Sequence, residues 1–315
     1  MRRLLEISRP LPRRLRRPVA MLSFLLPILL WCAVSYVPAL WHPDMRISDA
    51  GSVDYFQDGM LIDRETFAAE HAHALQAHQP PPRGDPANPM YLPAPHEVAR
   101  ALVAAFTTPP GIRDEPWLHQ SLLHSIRIIF LGFVISSAIG VPLGVFCGSL
   151  MMVSRLTEPF IEFFRYLPAP AFGALMVAIL GIYDAPKIAI IVIGTLFQQV
   201  LVIANTTRLL DHGLVEAART LGARRARLLF RVVVPAILPG VYRDQRILLG
   251  WAWTYLIVAE LIGTSSGITW FITQQARYQH FANVYAAMII IGIIGIGTDL
   301  LLALLGQRLF RGRQA

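Results

Sequence analysis

The chain has 315 residues, 55% of them hydrophobic and only 15% charged, with a formal net charge of +8; its mean hydropathy is +0.51. So much apolar side chain cannot all be buried in one water-soluble core, which excludes an ordinary soluble domain and points to a membrane protein. The positive balance could serve nucleic acid, but the arginines stand in short stretches beside long apolar runs, where they hold loops on the cytoplasmic side. The partner expected is therefore the lipid membrane and no nucleic acid.

Residues 1–20 carry Arg2, Arg3, Arg9, Arg13, Arg14, Arg16 and Arg17 and read as a basic cytoplasmic N-terminus. The apolar run 21–41 resembles a signal peptide, but it is long and bulky, with Trp31 and Tyr36, and has no small-residue cleavage site. It reads as an uncleaved first transmembrane helix that leaves the N-terminus inside.

Residues 42–120 hold eleven acids against five arginines and read as a periplasmic segment. Within it, 63–78 predicts a polar helix. Pro80, Pro81 and Pro82, followed by Gly84, Pro86 and Pro89, predict a linker. Pro95 then opens a helix whose Val98, Leu102 and Phe106 share a face suited to lying on the membrane surface. His71, His73 and His78, with His42 and His96, do not make a metal site, because His71 and His73 point to different faces of a helix.

A helix needs about twenty apolar residues to cross the hydrocarbon. On that length further spans are predicted at 121–150, 159–182, 185–208, 236–262 and 283–309, the third interrupted by Pro168 and Pro170. The expected fold class is an all-α membrane protein of about six transmembrane helices. Arg155, the arginines between Arg208 and Arg231, and Arg308, Arg311 and Arg313 fall in loops or tail on the inner side, so both termini are expected in the cytoplasm of a bacterial inner-membrane protein. Cys32 and Cys147 lie in apolar segments and read as packing residues.

The loop 209–235 carries the most informative pattern. Leu214, Ala217, Ala218 and Leu221 repeat at helical spacing, and Gly222 then permits a turn. Ala226, Leu229, Phe230 and Val233 repeat the spacing on a second helix, with Arg224 among the basic residues between. A patch of small side chains with Glu216 at its start is shaped to seat in a groove of another protein.

Glu216-Ala217-Ala218, three residues, Gly222, nine residues, then Val232-Val233-Val234-Pro235 resembles the EAA loop of binding-protein-dependent ABC permeases. Val232 and Val234 stand where that pattern has Ile and Leu. The resemblance covers 92–312, the permease core being 121–312, and leans towards the nitrate, sulfonate and taurine branch. That leaning rests on Leu92-Pro93-Ala94-Pro95; on Ser125, Arg127, Gly132, Phe133, Gly140, Pro142, Leu143 and Gly144; on Leu167-Pro168 and Gly181; and on Ala259-Glu260 with Ser265-Ser266-Gly267. The long segment after the first span departs from the pattern.

The resemblance implies a type I ABC importer permease fold and an ATPase-coupling role for Glu216, Ala217, Ala218, Leu221, Gly222, Arg224 and Pro235. It also implies a homodimer with a second permease copy, ABC ATPase subunits that bind the ATP and Mg, and a periplasmic substrate-binding protein. No cofactor, metal or catalytic residue is expected in this chain. The single lysine, Lys187, follows no Gly-rich phosphate loop, and no hydrolase or metalloprotease motif is present.

Charged or amide side chains at membrane depth invite a functional reading. Gln198, Gln199, Trp253 and Glu260 are the candidates for a translocation path, with interhelical hydrogen bonding as the alternative for the glutamines; Arg127, Arg246 and Asp299 read as structural. Gly140, Gly144 and Gly148, and Gly292, Gly295 and Gly297, permit close helix contact. Two rival classes remain: an ion-coupled carrier or channel using Glu260 or Asp299, and a membrane scaffold recruiting a periplasmic partner.

Overall fold

A computed structural model describes residues 12–38, 40–109, 116–262 and 266–311. Arg2, Arg3, Arg9, Arg313 and Ser265 of the Ser-Ser-Gly motif therefore lie outside what is described. The chain divides into two compact units, Met1–Thr107 with Gln275–Ala286, and Thr108–Gln274 with Ala287–Ala315.

The first unit opens with helix α1 (Arg13–Tyr36), whose stretch Pro18–Tyr36 is long and apolar enough to cross a membrane. A three-stranded antiparallel sheet follows, made of β1 (Asp44–Asp49), β2 (Leu61–Asp63) and β3 (Arg83–Ala87) in the order β2-β1-β3. Helix α2 (Arg64–Gln76) starts where Asp63 caps it, its carboxylate accepting from Glu65 N at 3.0 Å and Thr66 N at 3.3 Å. Ile47, Val53 and Phe56 form the small core, with Ile62 and Phe67 packed on it.

Two expectations change here. The segment is not all helix and linker: the proline-rich stretch supplies β3, an edge strand in which Pro86 lacks an N–H that a central strand would need. Helix α3 (Pro95–Thr107) does not turn Val98 towards a membrane surface. Val98 and Ala101 are buried against Ala286, with Trp31, Ala282 and Tyr285 packed around them. Trp31 fixes that arrangement by donating Nε1–H to Pro93 O at 3.1 Å, and the Tyr36 hydroxyl meets His96 Nδ1 at 2.8 Å.

The second unit is built on α4 (Leu118–Ser149), a continuous helix of 32 residues. Next come α5 (Met151–Arg165) and α6 (Gly173–Leu180). The expected single span 159–182 is in fact this pair, bent by 88°. Pro168 and Pro170 explain the bend, since proline removes a helical N–H and forces its predecessor out of helical geometry.

Helix α7 (Asp184–Arg208) lies along α4. Gly132, Gly140, Gly144 and Gly148 of α4 face it so closely that a Cβ on Gly144 would stand 2.7 Å from Ile203 Cβ, and one on Gly148 would collide with Thr207. The expected close contact therefore holds for this stripe. Gly292, Gly295 and Gly297 differ: a Cβ there meets nothing within 4 Å, so in this chain they form an open face.

Helices α8 (His212–Thr220) and α9 (Arg225–Leu228) occupy the loop after α7, and α10 (Val234–Ile262), α11 (Ile268–Arg277) and α12 (Phe281–Leu309) complete the chain. Among the described residues four helices are long and apolar enough to span, in α1, α4, α7 and α12, or five with the bent pair. The sixth expected span, 236–262, is α10, which has the length but carries Arg243, Asp244, Arg246 and Glu260. Two of these charges are tied within the unit: Thr206 Oγ donates to Asp244, and Arg246 grips Asp299 of α12 through contacts of 2.8, 2.9 and 3.1 Å. Arg246 and Asp299 thus have the structural place expected of them, whereas Arg127 is exposed on α4.

Candidate functional site

Helix α8 begins at Asp211, whose Oδ1 accepts from Gly213 N at 2.8 Å. It ends in a defined turn: Ala223 N donates to Ala218 O at 2.9 Å and Gly222 N to Arg219 O at 2.9 Å, while Gly222 takes φ +86°. This is the paired bonding that closes a helix through a left-handed residue, and it explains why glycine stands there. No side chain of α8 or α9 is buried.

The apolar face read from the sequence is therefore present but uncovered. Leu214 and Ala217 are exposed, Ala218 is half-buried, and Leu221 is 89% exposed at the tip. Glu216 and Arg224 are exposed beside them. Pro235 is half-buried near the start of α10, just after a π-helical turn at Leu229–Val233. A widened turn there accommodates a residue that has no N–H for the ladder and whose ring crowds the preceding carbonyl. Val233 of that turn packs with Val145, Ile203, Ile237 and Val241, which anchors the segment to α4, α7 and α10.

Between this segment and the adjoining ends of α4, α5 and α7 lies a cavity of about 1170 Å³. Arg208, His212, Arg219, Arg224 and Arg225 line it, and no carboxylate does. Arg208 donates to Glu158 and, at 3.0 Å, to Ser154 Oγ.

Of the four path candidates, two are occupied in holding the bundle together. Gln199 is fully buried; its Oε1 accepts from Ser136 Oγ at 2.5 Å, and its Nε2 donates to Ser137 Oγ at 2.9 Å and Gln245 Oε1 at 3.0 Å. It ties α4, α7 and α10. Glu260 is 3% exposed, accepting from Ser125 Oγ and, at 2.8 Å, from Thr269 N at the start of α11. Ser125 Oγ in turn accepts from Ile268 N at 2.8 Å. A carboxylate at a helix N-terminus, with both oxygens bonded, is a cap rather than a surface a solute could touch. Gln198 and Trp253 are half-buried, and the Gln198 side chain makes no hydrogen bond among the described residues.

Sequence reasoning missed a second polar cluster at the same end as Glu260. Lys187, fully buried, reaches Ser266 Oγ at 2.7 Å and Asp184 Oδ1 at 3.5 Å, and His124 Nε2 stands 3.1 Å from Asp184 and 3.3 Å from Ser266 Oγ. The available signal was the only lysine of the chain, three residues after an aspartate at the start of a span. Gly267, at φ +102°, is needed because a Cβ would collide with the Glu260 carboxylate.

Residues 140–311 match the family described as binding-protein-dependent transport system inner membrane component. A Brucella melitensis protein named as a probable ABC transporter permease is 35% identical over 59% of this chain and 75% of its own length. The taurine transport system permease protein of Escherichia coli is 30% identical over 70% of this chain and 80% of its own. In fold, the chain is similar to one from the MetNI methionine ABC transporter in an inward facing conformation, with a TM-score of 0.55 at 20% identity, covering 63% of this chain and 97% of that one. The chain thus belongs to the binding-protein-dependent transport system inner membrane components, the multi-pass permease subunits of ABC importers.

Proposed function

We propose that this permease passes a small organic anion of the sulfonate class, and that ATP hydrolysed on separate subunits drives it through the segment 209–235. The observation that carries the coupling is α8. Its small apolar face is built, capped and turned at Gly222, yet none of its side chains is buried by the described residues. An exposed Leu221 beside Ala217 and Glu216 is the surface on which an ATPase subunit docks, with Arg224 at its edge. ATPase closure then moves this lever against α4, α7 and α10, whose two arrangements open the path to one side or the other.

The sulfonate class is supported by the Escherichia coli relative, which is named for taurine, an aminosulfonate. Gln198 and Trp253, half-buried and uncommitted, are the residues assigned to the path. The chain itself does no catalysis and holds no cofactor; ATP and Mg belong to the ATPase. A second permease copy completes the channel, and a periplasmic binding protein delivers the solute on the side of the acidic segment 42–120. Both termini lie in the cytoplasm, as the arginine-rich loops argue.

The test is affinity purification of the tagged permease in mild detergent, with labelled-taurine uptake measured in the same cells. The wild type should carry an ATPase subunit and support uptake, and Gly222→Arg should lose both while still reaching the membrane. An undiminished ATPase yield from Gly222→Arg would sink the coupling role. Uptake of other solutes but never of sulfonates would sink the substrate class alone.

A further inference from the structure

We infer that the basic cavity behind α8 is a binding site for the headgroup of an anionic glycerophospholipid, which braces the coupling segment against the bundle. Arg219, Arg224 and Arg225 line the cavity and make no side-chain hydrogen bond or ion pair among the described residues. All three are exposed, and three cations around one concavity raise the local positive potential and favour an anion there. Arg225 also holds a left-handed backbone, φ +46°, uncommon for a residue with a side chain and found where surroundings or a ligand enforce it.

The C-terminal ends of α4 and α7 abut the cavity and oppose this, each contributing about half a negative charge. Arg208 stands at the end of α7 and offsets that dipole, which leaves the other three arginines in excess.

Size and surroundings select a lipid rather than a free ion. A phosphate ion leaves most of about 1170 Å³ empty. The cavity is lined at the C-terminal ends of α4 and α7, two helices long and apolar enough to span, where a headgroup would lie, and exposed Leu150 and Met151 add apolar side chains to the same lining. Cationic rim and apolar flank together match an amphiphile. Since α8 buries no side chain of its own, a lipid bridging Arg219 on α8 to Arg224 and Arg225 supplies restraint that the protein lacks.

The probe is an equimolar mixture of phosphatidylglycerol and phosphatidylcholine offered to the full-length permease in detergent and read by native mass spectrometry. The wild type should retain phosphatidylglycerol in preference, and each arginine removed in Arg219→Gln and Arg225→Gln should lower that preference about fivefold. Arg219→Lys with Arg225→Lys should keep most of it, as should Arg155→Gln, which alters an exposed arginine outside the cavity. An unchanged preference in the double glutamine variant, or an equal loss in Arg155→Gln, overturns the site. Displacement by millimolar inorganic phosphate overturns the lipid in favour of a free anion, and displacement by the bound ATPase overturns it in favour of a protein carboxylate. Binding is read without transport, so failure here leaves the importer reading untouched.

Discussion

The α4–α7 seam and the α8–α9 segment are consecutive in the same unit and were built by opposite rules. Along the seam, glycines let two spanning helices approach until Ile203 and Thr207 fill the space where side chains would stand, and Gln199 sits fully buried among bonded partners. In α8–α9 nothing is buried, and Leu221 projects almost wholly into the surroundings. A bundle that must keep its helices in register needs contacts satisfied inside the chain. A surface meant for another subunit needs its contacts left open. The contrast is what the proposed function expects, with the seam as frame and the α8–α9 segment as handle.

The comparison breaks first at the seam. Gly148→Leu forces a side chain into Thr207 and should cost about 3 kcal/mol, seen as a lowered melting temperature in detergent. Gly295→Leu, on the open face of α12, should stay within about 0.5 kcal/mol. Equal effects at the two positions would remove the distinction between packed and open glycines. The next largest loss belongs to Glu260→Ala, which strands the buried Thr269 N–H and should cost about 1–3 kcal/mol by the same measurement.

Changes in the handle should alter binding more than stability. Gly222→Val places a branched side chain in a left-handed turn, about 1–2 kcal/mol of local strain, with no clash because the space around it is empty. Its melting temperature should fall less than that of Gly148→Leu, while ATPase recovery in pull-downs falls away. Leu221→Ala is the mildest: stability within about 0.5 kcal/mol of wild type, and ATPase affinity lower by about tenfold, as expected for one leucine lost from a docked surface. A large stability loss from Leu221→Ala would show that the tip is buried in the resting protein.

How far the sequence could be read follows the same division. The spans in α4, α7 and α12 were legible because unbroken apolar length is itself the signal, and the bend between α5 and α6 was written in Pro168 and Pro170. The helix α8 and its turn at Gly222 were legible because they depend on local spacing, and 216–222 lies within two helical turns. What could not be read needed a distant partner. Nothing in the neighbourhood of Glu260 reveals that Ser125 and Thr269 hold it, and Gln199 looks like a path residue until Ser136 and Ser137 are found opposite it. The small sheet escaped because its strands are short, carry Asp and Arg, and include Pro86, all poor strand signals.

The most direct measurement is amide hydrogen exchange on the permease alone and with its ATPase bound. The account predicts slow exchange along α4 and α7 in both states, and rapid exchange across 209–225 that slows markedly once the ATPase is present. Slow exchange across 209–225 in the permease alone, or rapid exchange there that the ATPase leaves unchanged, would contradict the claim that this segment is the handle by which the transporter is driven.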